Sequence, residues 1–227
     1  MEKILIIKLV ISILYGIAAG LLTIPLSKKL TLSRTDDPSV AAVIEKPLTV
    51  AAIVLISLAS SIAISLTVDE TGLMIRNLVL LFPMLSIMVV DMVVRKIPNP
   101  LLLTMIITEL AYILYYCISE KTADIIPKVI IGIAVGLLLT WIPGLLKIPI
   151  GNGDIKYCAV IGACVYIMGF AQAMVTMSLL VGIVYIVLKI TKKGDMKTML
   201  PMGPFLSVGT IVTMCIPIAD ANFGNLI

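Results

Sequence analysis

The sequence predicts an all-α polytopic membrane bundle of about eight transmembrane helices, and three observations carry that prediction. Hydrophobic residues fill 60% of the 227 positions and only 13% are charged, where a soluble domain keeps about a quarter charged for its wet surface. Mean hydropathy is +1.17. Most of the outer surface must therefore face hydrocarbon, where helices satisfy their own backbone. The apolar residues also fall in runs of the ~20 residues that cross a bilayer, and the cations gather in every second connection between runs.

The candidate spans lie near residues 4–26, 48–67, 75–94, 100–118, 125–144, 154–170, 172–190 and 202–219. The first is longer than the apolar core of a signal peptide, and no soluble domain follows it. The fifth carries Lys128 near its start. The sixth and seventh are parted by little more than Gly169, Phe170, Ala171 and Gln172. The long polar connection near 27–47 is too short for a second domain, and no internal repeat is visible, so residues 1–227 read as a single membrane domain.

Loop charge sets the orientation. Lys28, Lys29, Arg34 and Lys46 lie between spans one and two, and Arg95 and Lys96 between three and four. Lys147 and Lys156 follow span five, and Lys189, Lys192, Lys193 and Lys197 follow span seven. The alternate loops carry Asp69, Glu70 and Arg76, or Glu120, Lys121 and Asp124. The cationic loops are therefore assigned to the cytoplasm and both termini to the outside of the cell membrane. The formal charge of +4 is scattered between spans and makes no continuous basic face, so the lipid bilayer is an expected partner and nucleic acid is not.

The cysteines Cys117, Cys158, Cys164 and Cys215 form no CxxC pair, and the chain has no histidine. They read as small hydrophobes in helix packing, neither zinc ligands nor disulfide partners. The 13 methionines read as packing filler in the same way.

Acidic residues at the edge of a membrane span are costly and mark function. Asp91 lies near the end of span three, ahead of Pro98 and Asn99, and Asp154 opens span six after Gly151, Asn152 and Gly153. The loop charges put both at one membrane face. Two carboxylates meeting in a low-dielectric pocket do not both ionise readily, so they share a proton. The ionised partner can draw a proton from water while the protonated one bonds a scissile carbonyl and stabilises the oxyanion as water attacks. That chemistry needs no metal or other cofactor.

Gly151 and Gly153 would let a substrate backbone approach Asp154 and the loop reach positive φ. Pro98 would end the helix of Asp91, leaving the acid about two turns inside it. Simpler roles exist for each acid. Asp154 stands where an N-cap would, and either acid could be the snorkelling partner of Arg95 or Lys156. The residues alone leave both readings open.

Three motifs resemble the bacterial type IV prepilin leader peptidases, of the GxGD group of intramembrane aspartyl proteases. They are the aspartate followed at this spacing by Ile97, Pro98 and Asn99; the GxGD signature Gly151 to Asp154 with Lys156 after it; and Pro201, Met202, Gly203, Pro204, Phe205, Leu206, with Gly209 one turn on. GxGD alone is a weak signal; three motifs in order are a strong one. The resemblance spans residues 75–219 as a peptidase core. It implies Asp91 and Asp154 as the catalytic pair and a cytoplasmic-side cut that frees the leader of a prepilin or pilin-like pseudopilin just ahead of its apolar helix. It also implies a substrate-contact or site-shaping role for Pro201, Gly203 and Pro204, joined here by Gly151, Gly153, Lys156, Pro98 and Asn99.

Larger members of that family carry two zinc-binding CxxC pairs in the first cytoplasmic loop and a segment linked to methylation. Here residues 27–47 hold no cysteine, and Gly20 to Ile24 is at best a remnant. Residues 1–70 are therefore a reduced counterpart of the methyltransferase region, and neither zinc nor S-adenosylmethionine is expected.

Glu109 lies midway along span four, where the structural reading is a protonated acid bonded to Tyr112 or a neighbouring helix. The sharper reading is a proton relay. Lys156 stands near enough to Asp154 to act on its charge, or simply anchors the topology. Other functions compatible with the acids are a protease of preflagellin or other single-span proteins, a proton-coupled carrier using Asp91, Asp154 and Glu109, and an inactive assembly scaffold. The carrier predicts acids spread through the membrane depth, and the protease predicts two at one face.

Overall fold

The computed structural model describes residues 2–35, 37–145, 151–192 and 200–217. Lys147, Lys193, Lys197 and the last residues of the eighth predicted span, 218 and 219, lie outside the described residues. The elements are α1 (Glu2–Leu32), α2 (Pro38–Ala42), a 3-10 turn (Val43–Glu45), α3 (Pro47–Thr67), α4 (Thr71–Val94), α5 (Asn99–Glu120), α6 (Ile125–Leu145), α7 (Asn152–Ile190) and α8 (Met202–Cys215). Among the described residues there is no strand, as the composition predicts.

Six of these helices are long and apolar enough to cross a membrane. One of the six, α7, divides into two legs once it is followed through space. Its 39 residues would extend about 58 Å as a straight helix, roughly twice the hydrocarbon thickness. The helix is broken at Tyr166, where φ is 55° and ψ is −172°. Asp154, at its start, opens into the same cleft as Asp91. Gln172, just past the break, donates to the Ile216 carbonyl at 2.6 Å, beyond the far end of α8. Leu180 and Ile183 are back beside Pro201 and Pro204 at the start of α8. The chain therefore goes out over 152–165 and returns over 167–190. With the two legs of α7, the helices α1, α3, α4, α5 and α6, and the shorter apolar α8, the bundle has eight apolar helical segments. The reversal falls at Tyr166, three residues before the predicted turn at Gly169.

The long polar connection is shorter than the sequence suggests. α1 continues to Leu32, carrying Lys28 and Lys29 as further helical turns, and Lys28 pairs with Glu45 at 2.6 Å. α2 then begins at an Asp37 cap that accepts from the Ser39 backbone N–H at 2.9 Å. Hydrogen bonds from the Ser39 side chain and backbone hold the exposed Asp37 carboxyl below its ordinary value.

α4 is the central helix, with α1, α3, α5 and α8 packed on it. Its inward face supplies much of the main core, including Leu80, Leu81, Met84, Leu85 and Ile87, against Tyr157, Ile161 and Phe170 of α7 and Leu206 of α8. Lipid offers no hydrophobic drive between helices, so small residues decide which backbones approach closely. Gly132 of α6 and Gly162 of α7 each lie so near the other's carbonyl oxygen that a Cβ on either would sit about 2 Å from it. That contact fixes α6 on the outgoing leg of α7. The cysteines are free thiols; Cys158, Cys164 and Cys215 are buried and all three pack in the main core.

The bundle therefore has two distinct ends. Asp91, Asp154 and Arg34 lie at one. The other holds the α3–α4 turn, where Lys8 of α1 donates to the Asp69 carbonyl at 2.7 Å.

Candidate active site

α4 stops at Val94 because Arg95 adopts a left-handed conformation (φ 53°, ψ 40°) while its N–H still bonds the Asp91 carbonyl at 2.9 Å. The helix thus ends three residues past Asp91, not at Pro98, and the acid sits in the last turn, not two turns inside. Pro98 instead caps the next helix, with Asn99 as its first residue. This is the place where a missing N–H costs nothing, and an X-Pro step leads naturally into it.

Asp154 is placed by the start of α7. The N-cap is Gly151, whose carbonyl accepts the Asp154 N–H at 2.9 Å; Asp154 is the third helical residue, so the simple capping role is Gly151's. No described glycine has positive φ, and Gly151 sits at −66°, so the positive φ expected of this loop is not taken up. Its missing side chain serves Asp154 itself, since a Cβ there would lie 2.9 Å from the acid's own Oδ2. Gly153 allows a close approach of Ile97, whose Cβ would be 3.3 Å from an added Cβ. The linker after Asp91 is thereby packed on the turn that presents Asp154.

Both acids line one cleft of about 410 Å³, with Asn99, Gly151, Asn152, Gly153 and Lys156. Asp91 is 4% exposed and forms the floor, while Arg95, Lys96 and Lys156 are exposed at the rim. Asp91 Oδ2 accepts a hydrogen bond from the Gly203 backbone N–H at 2.9 Å. A Cβ on Gly203 would meet the Asp91 carboxylate at 2.7 Å, so only glycine lets α8 come this near. Pro201 and Pro204 flank that contact but face a neighbouring apolar groove and not the cleft. Pro98 is buried beside the cleft without lining it. Among the described residues neither acid forms an ion pair. One oxygen of Asp91 is held by a neutral donor, and the cleft leaves room for water and a peptide.

Two further contributions were not anticipated. Tyr157, one turn after Asp154, is fully buried and its hydroxyl lies 2.7 Å from Ser207 Oγ of α8. That bond ties the helix carrying Asp154 to the helix touching Asp91. Arg34, read in the sequence only as a topology cation, lines the cleft from the connection after α1. Neither has a sequence signal beyond a hydroxyl or a charge in a plausible place.

Glu109 is not part of this site. It is paired with Arg76 at 2.8 Å, both groups being about 5% exposed, near the opposite end of the bundle. Arg76 is therefore no loop cation. Its guanidinium also donates to Asn77 Oδ1 and to the Cys164 carbonyl and stacks over Tyr112 at 5.0 Å and Tyr166 at 5.9 Å. Tyr112, the partner expected for Glu109, donates instead to Glu70 at 3.0 Å.

No curated protein and no solved structure matches the chain. Residues 78–188, the segment that carries Asp91 and Asp154, match the type IV leader peptidase family.

Proposed function

We propose that the chain is an aspartyl endopeptidase that removes the basic leader of prepilin-like single-span proteins, with Asp91 and Asp154 as its catalytic pair. The observation that carries this reading is the common cleft: two acids 63 residues apart in sequence, on different helices, open into one space at one end of the bundle. The pair holds one proton. The ionised member takes a proton from a water in the cleft, and the resulting hydroxide adds to the scissile carbonyl carbon. The protonated member bonds the oxyanion and its proton then passes to the departing amine as the C–N bond breaks. The products are a carboxylate and an amine, and the pair again holds one proton. Gly203 fixes one oxygen of Asp91, so little reorganisation is left for the reaction itself.

The cytoplasmic face is assigned from Arg34, Arg95, Lys96 and Lys156, which gather at this end as positive-inside residues do. The same cations ring the mouth, so attraction between a basic leader and the acids acts only at short range. Residues 75–219 form the peptidase core in this reading, and residues 1–70 its scaffold. A carrier would use acids at several depths, yet Glu109, the third candidate, is neutralised by Arg76.

The test is co-expression with prepilins, following leader removal on a gel. Asp91→Asn and Asp154→Asn should each reduce processing at least about a thousandfold with unchanged amounts of protein in the membrane. Processing retained by either variant refutes the role of that residue. A chelator should leave the rate unaltered.

A further inference from the structure

A large apolar slot lies against the catalytic cleft, and the mechanism above makes no use of it. It encloses about 1040 Å³. One wall is α3, through Ala52, Ile53 and Ile56; the other is the returning leg of α7, through Leu180, Ile183 and Val184. Both sets follow helical spacing, so each wall presents one continuous stripe. The floor is α4, through Met88 and Met92, and α8, through Phe205 and Val208. Among the described residues α3 packs on α4 and α8, and α7 packs on α8, while α3 and α7 share no contact of that extent. The slot opens sideways past Met92 and Ile183, which are 62% and 56% exposed.

The catalytic end of the slot is tied to the acids. Met88 and Met92 lie on the same helix as Asp91, three residues before it and one after. Pro201 and Pro204 line the slot and flank Gly203, whose N–H holds Asp91. Anything apolar lying along the slot therefore has one end beside the cleft floor. Ser39 and Thr49 are its polar lining residues, both at that end.

We infer that the slot between α3 and the returning leg of α7 holds the apolar helix of the substrate, so that its polar leader leaves the slot directly into the cleft. This rests on the peptidase reading and adds where the substrate lies and which side chains select it. A helix bound in the slot is aligned before cleavage, and the bond at its polar end is the one presented to the acids. Selection by the slot follows helix shape and apolar content along one stripe, while the cleft acts on the adjoining residues.

The experiment uses the full-length protein in phosphatidylethanolamine–phosphatidylglycerol vesicles. The substrate is a synthetic peptide with a basic leader ahead of an apolar helix of about 20 residues. A photo-crosslinking amino acid at position 53 or 183, in an Asp91→Asn background, should capture this peptide, and one at Leu114, on the outer face of α5, should not. Ile183→Trp and Ile53→Trp, which fill the slot, should raise KM for the peptide about tenfold or more with a smaller change in kcat, while Leu114→Trp leaves both unchanged. Capture of lipid alone, or of a second copy of the chain, overturns the inference, and so does an unchanged KM in both tryptophan variants. If the leader is removed yet these outcomes appear, the slot proposal falls alone. If the wild-type chain cleaves no substrate at all, both proposals fall.

Discussion

Two buried acids sit at opposite ends of this bundle, and their surroundings differ in kind. Glu109 has a full counter-charge: Arg76 lies 2.8 Å away, is itself buried, and is stacked on two tyrosine rings. Asp91 has no ion pair among the described residues and a single neutral donor, the Gly203 N–H, with a second acid across a shared cleft. Burial disfavours an isolated charge in both places. At the first the cost is offset by an opposite charge on Oε2, although Oε1 of the same carboxylate is buried without a hydrogen bond. At the second it is left unresolved, and that unresolved charge is what a proton-transferring pair requires. An acid in a membrane span is therefore a candidate for chemistry only after its partners are counted.

The largest effect that tests this contrast is on stability. Glu109→Gln leaves Arg76 as a buried, uncompensated cation and should cost about 3–5 kcal/mol, read as a fall in Tm in detergent and a lower yield. Leader cleavage per folded molecule should persist. Replacing both residues, Arg76→Met with Glu109→Leu, should recover most of the loss. Recovery will be incomplete, because the Cys164 carbonyl loses its Arg76 donor. Should Glu109→Gln keep its Tm and lose cleavage, Glu109 belongs with Asp91 and Asp154 and the contrast is void.

Gly203→Ala probes the other end. An added Cβ would meet Asp91 at 2.7 Å to Oδ2 and 2.9 Å to Cβ and Cγ, so the carboxylate or α8 must move. A misplacement of about 1 Å can cost on the order of a hundredfold in rate. We expect kcat to fall by about that factor, with a smaller loss of Tm than for Glu109→Gln. Full activity would show that the contact with α8 does not orient the acid.

The same contrast explains what could be read in advance. Span positions were legible because apolar runs are a local signal, and both acids were legible because their motifs are local too. Features that depend on distant partners were not. Arg76 reads as a loop cation until Glu109, 33 residues away, and Cys164, 88 residues away, are brought to it. The break at Tyr166 has no glycine or proline at that position to announce it; Arg76 bonds the carbonyl two residues before it. α1 outran its predicted end because lysine is a good helix former, so Lys28 and Lys29 end the apolar run without ending the helix. Gly151 does not take the positive φ that its place in the motif suggests; the space of its missing side chain is taken by Asp154, a contact that spacing alone does not reveal.

The smallest expected effect concerns the link between the two halves of the site. Tyr157→Phe removes the bond to Ser207 and leaves that hydroxyl buried without this partner, at a cost of about 1–2 kcal/mol. Because the bond joins the first turns of α7 to α8, some of that cost should appear as a fall in kcat of less than about tenfold, with KM nearly unchanged. Ser207→Ala should behave alike. If the two groups act only through each other, the double variant will be little worse than either single one, a coupling that a double-mutant cycle reads directly. Strict additivity would mean that Tyr157 and Ser207 stabilise their helices separately, and that the geometry of Asp154 relative to Gly203 is set by packing alone.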